Sequence, residues 1–398
     1  LTHLAELASQ ATALRPRFEE TSRDIFQHPE LKFEERHAAT TLTALLASEG
    51  FAVEPGLGGL ETAFAARKGT TGPHIGLLLE YDALPEIGHA CGHNLIAAGG
   101  STAAALVARN FPQTGRLSVI GTPAEEGGGG KVKLLEAGAF AGLDAVLMFH
   151  PADRTLAWRH ALAAAHLRIQ FHGKAAHASK TPEEGRSALS AMTQFFVATD
   201  SLRQFIPPTA RIHGVIRHGG AAPNVVPDFT EADMFVRDLT AERTLALVER
   251  VTAGAHGAAM CAGCSASVTH TAPVYTERKN NHTMAGRLSG YLQELDVPVD
   301  PPSFANPVGS SDVGNVSLTV PTIQPYLKIA ERGTPSHSIA FRDAAMTPEA
   351  HDAALKMAVA LARTIQDLMT DAELLAAAKH EFATSGPDVP EDAPAGAD

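Results

Sequence analysis

His74-Ile75-Gly76-Leu77-Leu78-Leu79-Glu80, running straight into Tyr81-Asp82-Ala83-Leu84-Pro85 and then His89-Ala90-Cys91-Gly92-His93-Asn94, is the stretch on which the fold turns. A short continuous apolar run reads as a strand buried on both faces. The abrupt change to acids, a thiol and imidazoles places those groups in a loop at the strand's carboxyl end, where open α/β sheets bind ligands. Similar strands are expected near 62–67, 117–122 and 144–149, between helical stretches at 4–26, 34–49, 94–109 and 131–137. In the second of these, Leu42, Leu45 and Leu46 recur at helical spacing and Gly50 stops the helix. Strand and helix in alternation predict an α/β domain around a mostly parallel, helix-covered sheet.

From about residue 162 the pattern changes to strict alternation, with Leu167, Ile169 and Phe171 on one face and His166, Arg168, Gln170 and His172 on the other. A helix over 185–205, strands over 211–217 and 229–238, a helix over 241–256 and a strand over 266–271 complete an inserted antiparallel βαββαβ lid. The expected division is therefore a discontinuous domain of residues 1–160 and 273–383 interrupted by a lid of 161–272. A long helical stretch over 347–379 closes the first domain. The tail 384–398, with Pro387, Pro390 and Pro394 among acids, is expected to be disordered. Two domains suit 398 residues.

The formal net charge is −12 and basic residues are scattered singly, which argues against a nucleic-acid partner. No apolar run reaches the roughly 18 residues a membrane span needs. Three cysteines cannot build a disulfide framework and fit a reducing compartment, so the cytoplasm is the plain reading. The chain opens with Leu1 rather than Met, which leaves a removed leader or a trimmed chain open.

Four stretches carry chemistry. Cys91 and His93 can reach one metal ion, with Gly92 letting the backbone bend between them; the bland alternative is a buried cysteine and a surface histidine. In Gly121-Thr122-Pro123-Ala124-Glu125-Glu126-Gly127-Gly128-Gly129-Gly130, neighbouring carboxylates on extended backbone point opposite ways, so one can bind metal while the other faces an attacking water. That stretch is otherwise a solvated acidic loop. It is not a phosphate loop, because Lys131 is followed by Val132. His150 follows the apolar run of 145–149, and His337 stands far away in Thr334-Pro335-Ser336-His337-Ser338. Taken together, Cys91, His93, Glu126, His150 and His337 make a donor set for two zinc-like ions. Three rivals stand beside it: a cysteine hydrolase with Cys91 as nucleophile and His93 as base, a glycosidase on Glu125 and Glu126, and a catalytically silent metal-binding protein. Adjacent carboxylates do not readily flank a sugar about 5 Å or more apart, which disfavours the glycosidase. Cys261-Ala262-Gly263-Cys264 reads as two unpaired structural thiols, since no second pair lies nearby.

The succession of these stretches with Gly173-Lys-Ala-Ala-His177-Ala-Ser179, Ala222-Pro-Asn224-Val-Val-Pro-Asp228 and Gly309-Ser-Ser-Asp312-Val-Gly-Asn-Val-Ser317 resembles the aminoacylase and carboxypeptidase family of metallopeptidases, peptidase family M20. It covers nearly the whole chain in order and looks closest to the cysteine-ligand amidohydrolase branch, with its aminobenzoyl-glutamate hydrolases, β-alanyl-type dipeptidases and auxin-conjugate hydrolases. The resemblance implies a zinc-exopeptidase-like mixed sheet flanked by helices, with an inserted lid through which two copies dimerise. It implies two divalent metal ions, zinc first and manganese or cobalt as alternatives, held by Cys91 as bridge with His93, Glu126, His150 and His337. Glu125 becomes the general base and Asp82 the acid that orients the site. The family's usual H-x-D reads Glu80-Tyr81-Asp82 here, which removes one histidine ligand. From the lid, His177 is expected to polarise the scissile carbonyl in a neighbouring subunit, and Asn224 and Arg237 to hold a substrate carboxylate. The implied substrate is a small N-acyl amino acid, an aminobenzoyl-glutamate-like conjugate or a dipeptide.

Overall fold

The computed structural model describes residues 3–111, 114–305 and 308–390. They form two compact units. One holds the residues up to His160 with Arg278–Val308 and Asp312–Asp388, and the other holds Ala161–Glu277 with Gly309–Ser311.

The first unit is built on a six-stranded sheet in the order Ala52–Pro55, Phe64–Thr71, Gly115–Gly121, His74–Leu79, Ala145–Leu147, Thr322–Ile323. The last four strands run parallel, and the first two pair antiparallel at one edge, so the sheet is mixed. Alternation along the central strand sorts its side chains into two layers. Ile75, Leu77 and Leu79 join the core built by helices His3–Gln27, Arg36–Ser48, His93–Arg109, His282–Glu294, Pro348–Thr370 and Ala372–Thr384. Leu78 faces the other way, into a smaller core with Leu134, Val313 and Val316 from the short helices Gly130–Glu136 and Val313–Ser317. Helix His93–Arg109 is buried over most of its length. Its small residues let it lie directly on the sheet: a Cβ on Gly100 would stand 2.2 Å from Leu79 Cδ2.

Among the elements that depart from the sequence expectation, three show why. The edge strand Ala52–Pro55 is mostly exposed and carries no buried alternation to announce it. Helix His282–Glu294 is an addition to the expected elements, although Met284, Ala285, Leu288 and Leu292 form its buried stripe. The long helix expected over 347–379 breaks at Asp371, whose extended backbone lets its carboxylate accept from Leu374 N at 3.0 Å and cap a new helix, Ala372–Thr384. The tail also begins in order rather than in disorder. Asp388 accepts from Asn280 N at 2.7 Å and pairs with His282 Nε2 at 2.9 Å. Residues 391–398 of that expected tail lie outside the described residues.

The second unit is a four-stranded antiparallel sheet in the order Ser265–His270, Ala163–His172, Phe229–Asp238, Arg211–His218. Helices Ala188–Leu202 and Ala241–Ala262 complete the chain order βαββαβ. Leu167, Ile169 and Phe171 bury against Met192, Phe195 and Val251 from these helices. Each such side chain contributes roughly 1.5–3 kcal/mol of burial. Among the described residues no helix is long and apolar enough to cross a membrane.

Candidate metal centre

Four parallel strands ending at one edge of the first sheet bring polar loops together there. The strand His74–Leu79 delivers Glu80 and Asp82, Gly115–Gly121 delivers Glu125 and Glu126, and Ala145–Leu147 leads to His150. His150 does not end that strand; it opens a separate two-stranded ladder, His150–Ala152 against Tyr326–Lys328. Cys91 and His93 are set by Gly92, which has φ 76° and whose Cβ would meet Pro151 Cγ at 2.8 Å, so glycine is required there. His337 takes φ 62°, and its N–H donates to Ala90 O at 3.0 Å, tying the far segment to the cysteine turn.

The side chains converge. Cys91 Sγ lies 3.5 Å from His337 Nε2 and 3.7 Å from His150 Nε2, and His337 Nε2 lies 3.2 Å from Glu126 Oε1. Cys91, His93 and His150 form one set of potential ligand atoms within 4.8 Å of each other; Cys91, Glu126 and His337 form a second. The sulfur belongs to both. Two of the imidazoles are held from behind: His93 Nδ1 faces Asp82 O at 2.8 Å and Oδ1 at 3.1 Å, while His150 Nδ1 faces Pro151 O at 2.7 Å. A carbonyl or carboxylate on Nδ1 leaves Nε2 as the ligating nitrogen. Asp82 also accepts from Glu126 N at 2.9 Å through Oδ2, so one carboxylate positions parts of both sets.

Burial, then the Glu126 charge, holds the Cys91 thiol well above the ordinary thiol range. Burial, then Glu126, Glu80 and Asp312, pushes the Glu125 carboxyl well above the usual carboxylate range. Burial lowers His150 to about 4, which keeps its imidazole neutral. His93 Nε2 is buried without a hydrogen bond and stands 3.6 Å from Glu80 Oε2. Burial opposes a charge on His93, but the Asp82 carboxylate beside it holds its pKa well above the ordinary imidazole range. A thiol, imidazoles and crowded carboxylates form a donor set that zinc, manganese or cobalt would satisfy.

Behind this set lies a second charged layer. Lys131, fully buried, places Nζ 2.6 Å from Glu80 Oε1 and 2.8 Å from Asp312 Oδ1, and its backbone N–H donates to Asp312 Oδ2 at 2.9 Å. Burial works against the ammonium, but Asp312, Glu80 and Glu125 together raise its pKa. Glu35 braces the other side. It accepts from Thr62 Oγ1 at 2.8 Å and from Ala124 N at 2.9 Å, and Ala124 sits at φ 61°, a left-handed conformation costing roughly 1–2 kcal/mol. That bond pins the turn from which Glu125 projects. Burial and then the charge of Asp82 push the Glu35 carboxyl up to about 7.

Seven of the sequence-derived residues thus meet in the first unit: Cys91, His93, Glu126, His150, His337, Glu125 and Asp82. His177, Asn224 and Arg237 lie in the second unit. There the His177 and Asn224 segments run side by side, with Ala178 N donating to Asn224 O at 3.0 Å. Arg237 Nη1 donates to Ser310 Oγ at 3.0 Å, and its guanidinium lies over the Phe235 ring. Cys261 and Cys264 are free thiols. The sequence alone assigns no role to Glu80, Lys131, Asp312 or Glu35. Glu80 stands out there only as a departure from H-x-D, and Lys131 only as a lysine that fails the phosphate-loop spacing. Glu35 carries no sequence signal, since its partners are 27 and 89 residues away.

Comparison with known proteins agrees with this architecture. Residues 161–255 match a peptidase dimerisation domain family. The chain is 36% identical over 384 residues to the Xaa-Arg dipeptidase of Homo sapiens, covering 91% of this chain and 87% of that one. It is 30% identical over 442 residues to a p-aminobenzoyl-glutamate hydrolase polypeptide of Escherichia coli strain K12, covering 92% of each. Among solved structures, an aminobenzoyl-glutamate utilization protein from Klebsiella pneumoniae superposes with a TM-score of 0.72 at 20% identity, over 92% of this chain and 99% of that one. A dinuclear metal binding peptidase of the M20 family from Bacillus subtilis gives 0.63 at 22% identity, over 89% and 99%.

Proposed function

The chain belongs to the M20 peptidase family, and on that footing we propose that it hydrolyses the amide bond of an N-acyl amino acid, an aminobenzoyl-glutamate-like conjugate or a dipeptide bearing a free carboxylate. The observation that carries this reading is the membership of Cys91 Sγ in two donor sets, with the buried Glu125 carboxyl beside His93 and Glu126. Cys91, His93 and His150 would hold one divalent cation, and Cys91, Glu126 and His337 the other. Bound there, the cations supply Lewis acidity, lowering the pKa of water from about 15.7 toward 7 and polarising the amide carbonyl. Zinc suits the donors best; manganese and cobalt are the other ions to try.

Glu125 is the general base in this scheme. Its carboxylate takes a proton from the attacking water and returns it to the leaving amine, so one group serves both half-reactions. Asp82 keeps the His93 ring and the Glu126 backbone in place. Lys131 offsets the charge that Glu80, Glu125 and Asp312 would otherwise concentrate. In the second unit His177 is assigned to the scissile carbonyl across a homodimer, and Asn224 and Arg237 to the substrate carboxylate. A guanidinium already oriented by Ser310 and Phe235 loses little freedom on pairing with a carboxylate. The protein is proposed to act in the cytoplasm.

The rival use of Cys91 as a nucleophile requires a thiolate with no cation to displace its proton, and there burial favours the neutral thiol. A hydrolysis screen over N-acyl amino acids and dipeptides, with zinc, manganese and cobalt added separately after chelation, tests the proposal. It expects activity lost to chelator, recovered with one of the ions, and abolished when the substrate carboxylate is amidated. Turnover that survives chelation and dies with a thiol alkylator would replace it with the cysteine reading.

A further inference from the structure

The last turn of helix His3–Gln27 and the first turn of helix Arg36–Ser48 bring together two imidazoles and a carboxylate outside the buried centre. Asp24 Oδ2 lies 2.7 Å from His37 Nε2, and Asp24 Oδ1 lies 3.3 Å from His28 Nδ1. The His28 and His37 rings approach with centroids 4.3 Å apart. One ligand atom from each of the three lies within 4.8 Å of the others. Bonds of roughly 2.0–2.2 Å to a tetrahedral ion put donors about 3.3 Å apart, so small rotations of these side chains suffice to enclose one.

We propose that Asp24, His28 and His37 form a peripheral site for one divalent transition-metal ion, distinct from the buried centre. His28 Nδ1 also faces Asp24 O at 2.8 Å, which holds the ring against the end of the first helix. Asp24 Oδ2 also accepts from Thr41 Oγ1 at 3.3 Å, which orients the carboxylate. Of the charged neighbours, Glu30 caps His37 N and Ala38 N, and Arg36 pairs with Glu61. Two imidazoles and one carboxylate select zinc, nickel or copper over magnesium or calcium.

The position gives the site a consequence. The connector 28–35 braces both loops of the buried centre: Glu30 O accepts from Ala83 N at 2.8 Å, Lys32 Nζ donates to Gly127 O at 3.1 Å, and Glu35 holds Ala124 N. An ion between Asp24, His28 and His37 fastens the two ends of that connector to each other.

The test is equilibrium dialysis of the full chain against zinc or magnesium, with elemental analysis of bound metal. Wild type is expected to hold one more equivalent of zinc than a His28→Gln/His37→Gln chain, and no such difference with magnesium. A Cys91→Ser/His150→Gln chain should keep that equivalent while losing zinc from the buried centre, so failure of one site is separable from failure of the other. All three side chains are partly exposed, so the substitutions leave the core untouched. Equal zinc uptake by wild type and the double-histidine variant, or an equal extra uptake of magnesium, overturns the proposal.

Discussion

Glu125 has surroundings that favour its protonated form while its proposed task starts from the ionised one. Burial and the carboxylates of Glu126, Glu80 and Asp312 all push it upward. A carboxyl raised in this way is the stronger base toward the attacking water, and the leaving amine, more basic still, can take the proton from it. Glu125→Gln keeps the shape and removes the transfer; kcat is expected to fall by about 10²–10⁴-fold, with bound metal by elemental analysis unchanged. Lys131 is the counterweight, and its removal strands two carboxylates at zero exposure. Lys131→Met is therefore expected to destabilise the first unit by about 3–5 kcal/mol in denaturant unfolding, and Lys131→Arg to recover part of it. The five proposed metal donors are legible in the sequence because each lies at or near the end of a recognisable strand or in a compact motif. The Lys131 layer is not, because Asp312 is 181 residues away from its partner and only the folded sheet makes them neighbours.

At the scale of elements, the Pro123–Glu126 turn and the helix that follows are locked together. A Cβ on Gly130 would fall 1.8 Å from Pro123 O, a backbone atom that can move only with the turn. Gly130→Ala is expected to lower stability by about 1–3 kcal/mol in thermal unfolding and to weaken metal retention after dialysis, since Glu126 rides on the displaced segment. Gly254, inside helix Ala241–Ala262 with nothing within 4 Å of its Cβ position, makes the contrasting case. Gly254→Ala should raise stability by about 0.5–1 kcal/mol in the same assay. Elements with a buried stripe are legible, as the alternation at Leu167, Ile169 and Phe171 illustrates. The strand Ala52–Pro55 is not, because a mostly exposed edge leaves no apolar period. The break at Asp371 is hidden as well, because apolar spacing continues through it and only the aspartate's capping bond marks a new helix.

For the molecule as a whole, Asp388 fastens the chain's far end to the start of helix His282–Glu294. The hydrogen bond that His282 donates to Asp388, partly opposed by burial, raises the pKa of His282 above its usual 6.5. The folded state thus binds a proton that the unfolded chain releases sooner. The added stability is complete below the unfolded pKa and disappears as pH rises through the raised folded value. Because His282 is partly exposed, the effect is small; His282→Gln should cost about 0.5 kcal/mol more at pH 5.5 than at pH 8.5 in paired denaturation curves. The same anchoring corrects the expectation of a wholly disordered tail, whose proline and acid content gives no hint of Asn280 and His282 as partners. The separation of donors has one more consequence. His337 joins Cys91 across 246 residues, and the strand Thr322–Ile323 completes its sheet beside Ala145–Leu147. A ribosome making about 5–20 residues each second would therefore expose the cysteine turn for many seconds before its last imidazole emerged. On the proposed assignment, nascent chains would hold only part of the donor set during that interval, and hydrolytic competence would arrive late in synthesis rather than grow with it.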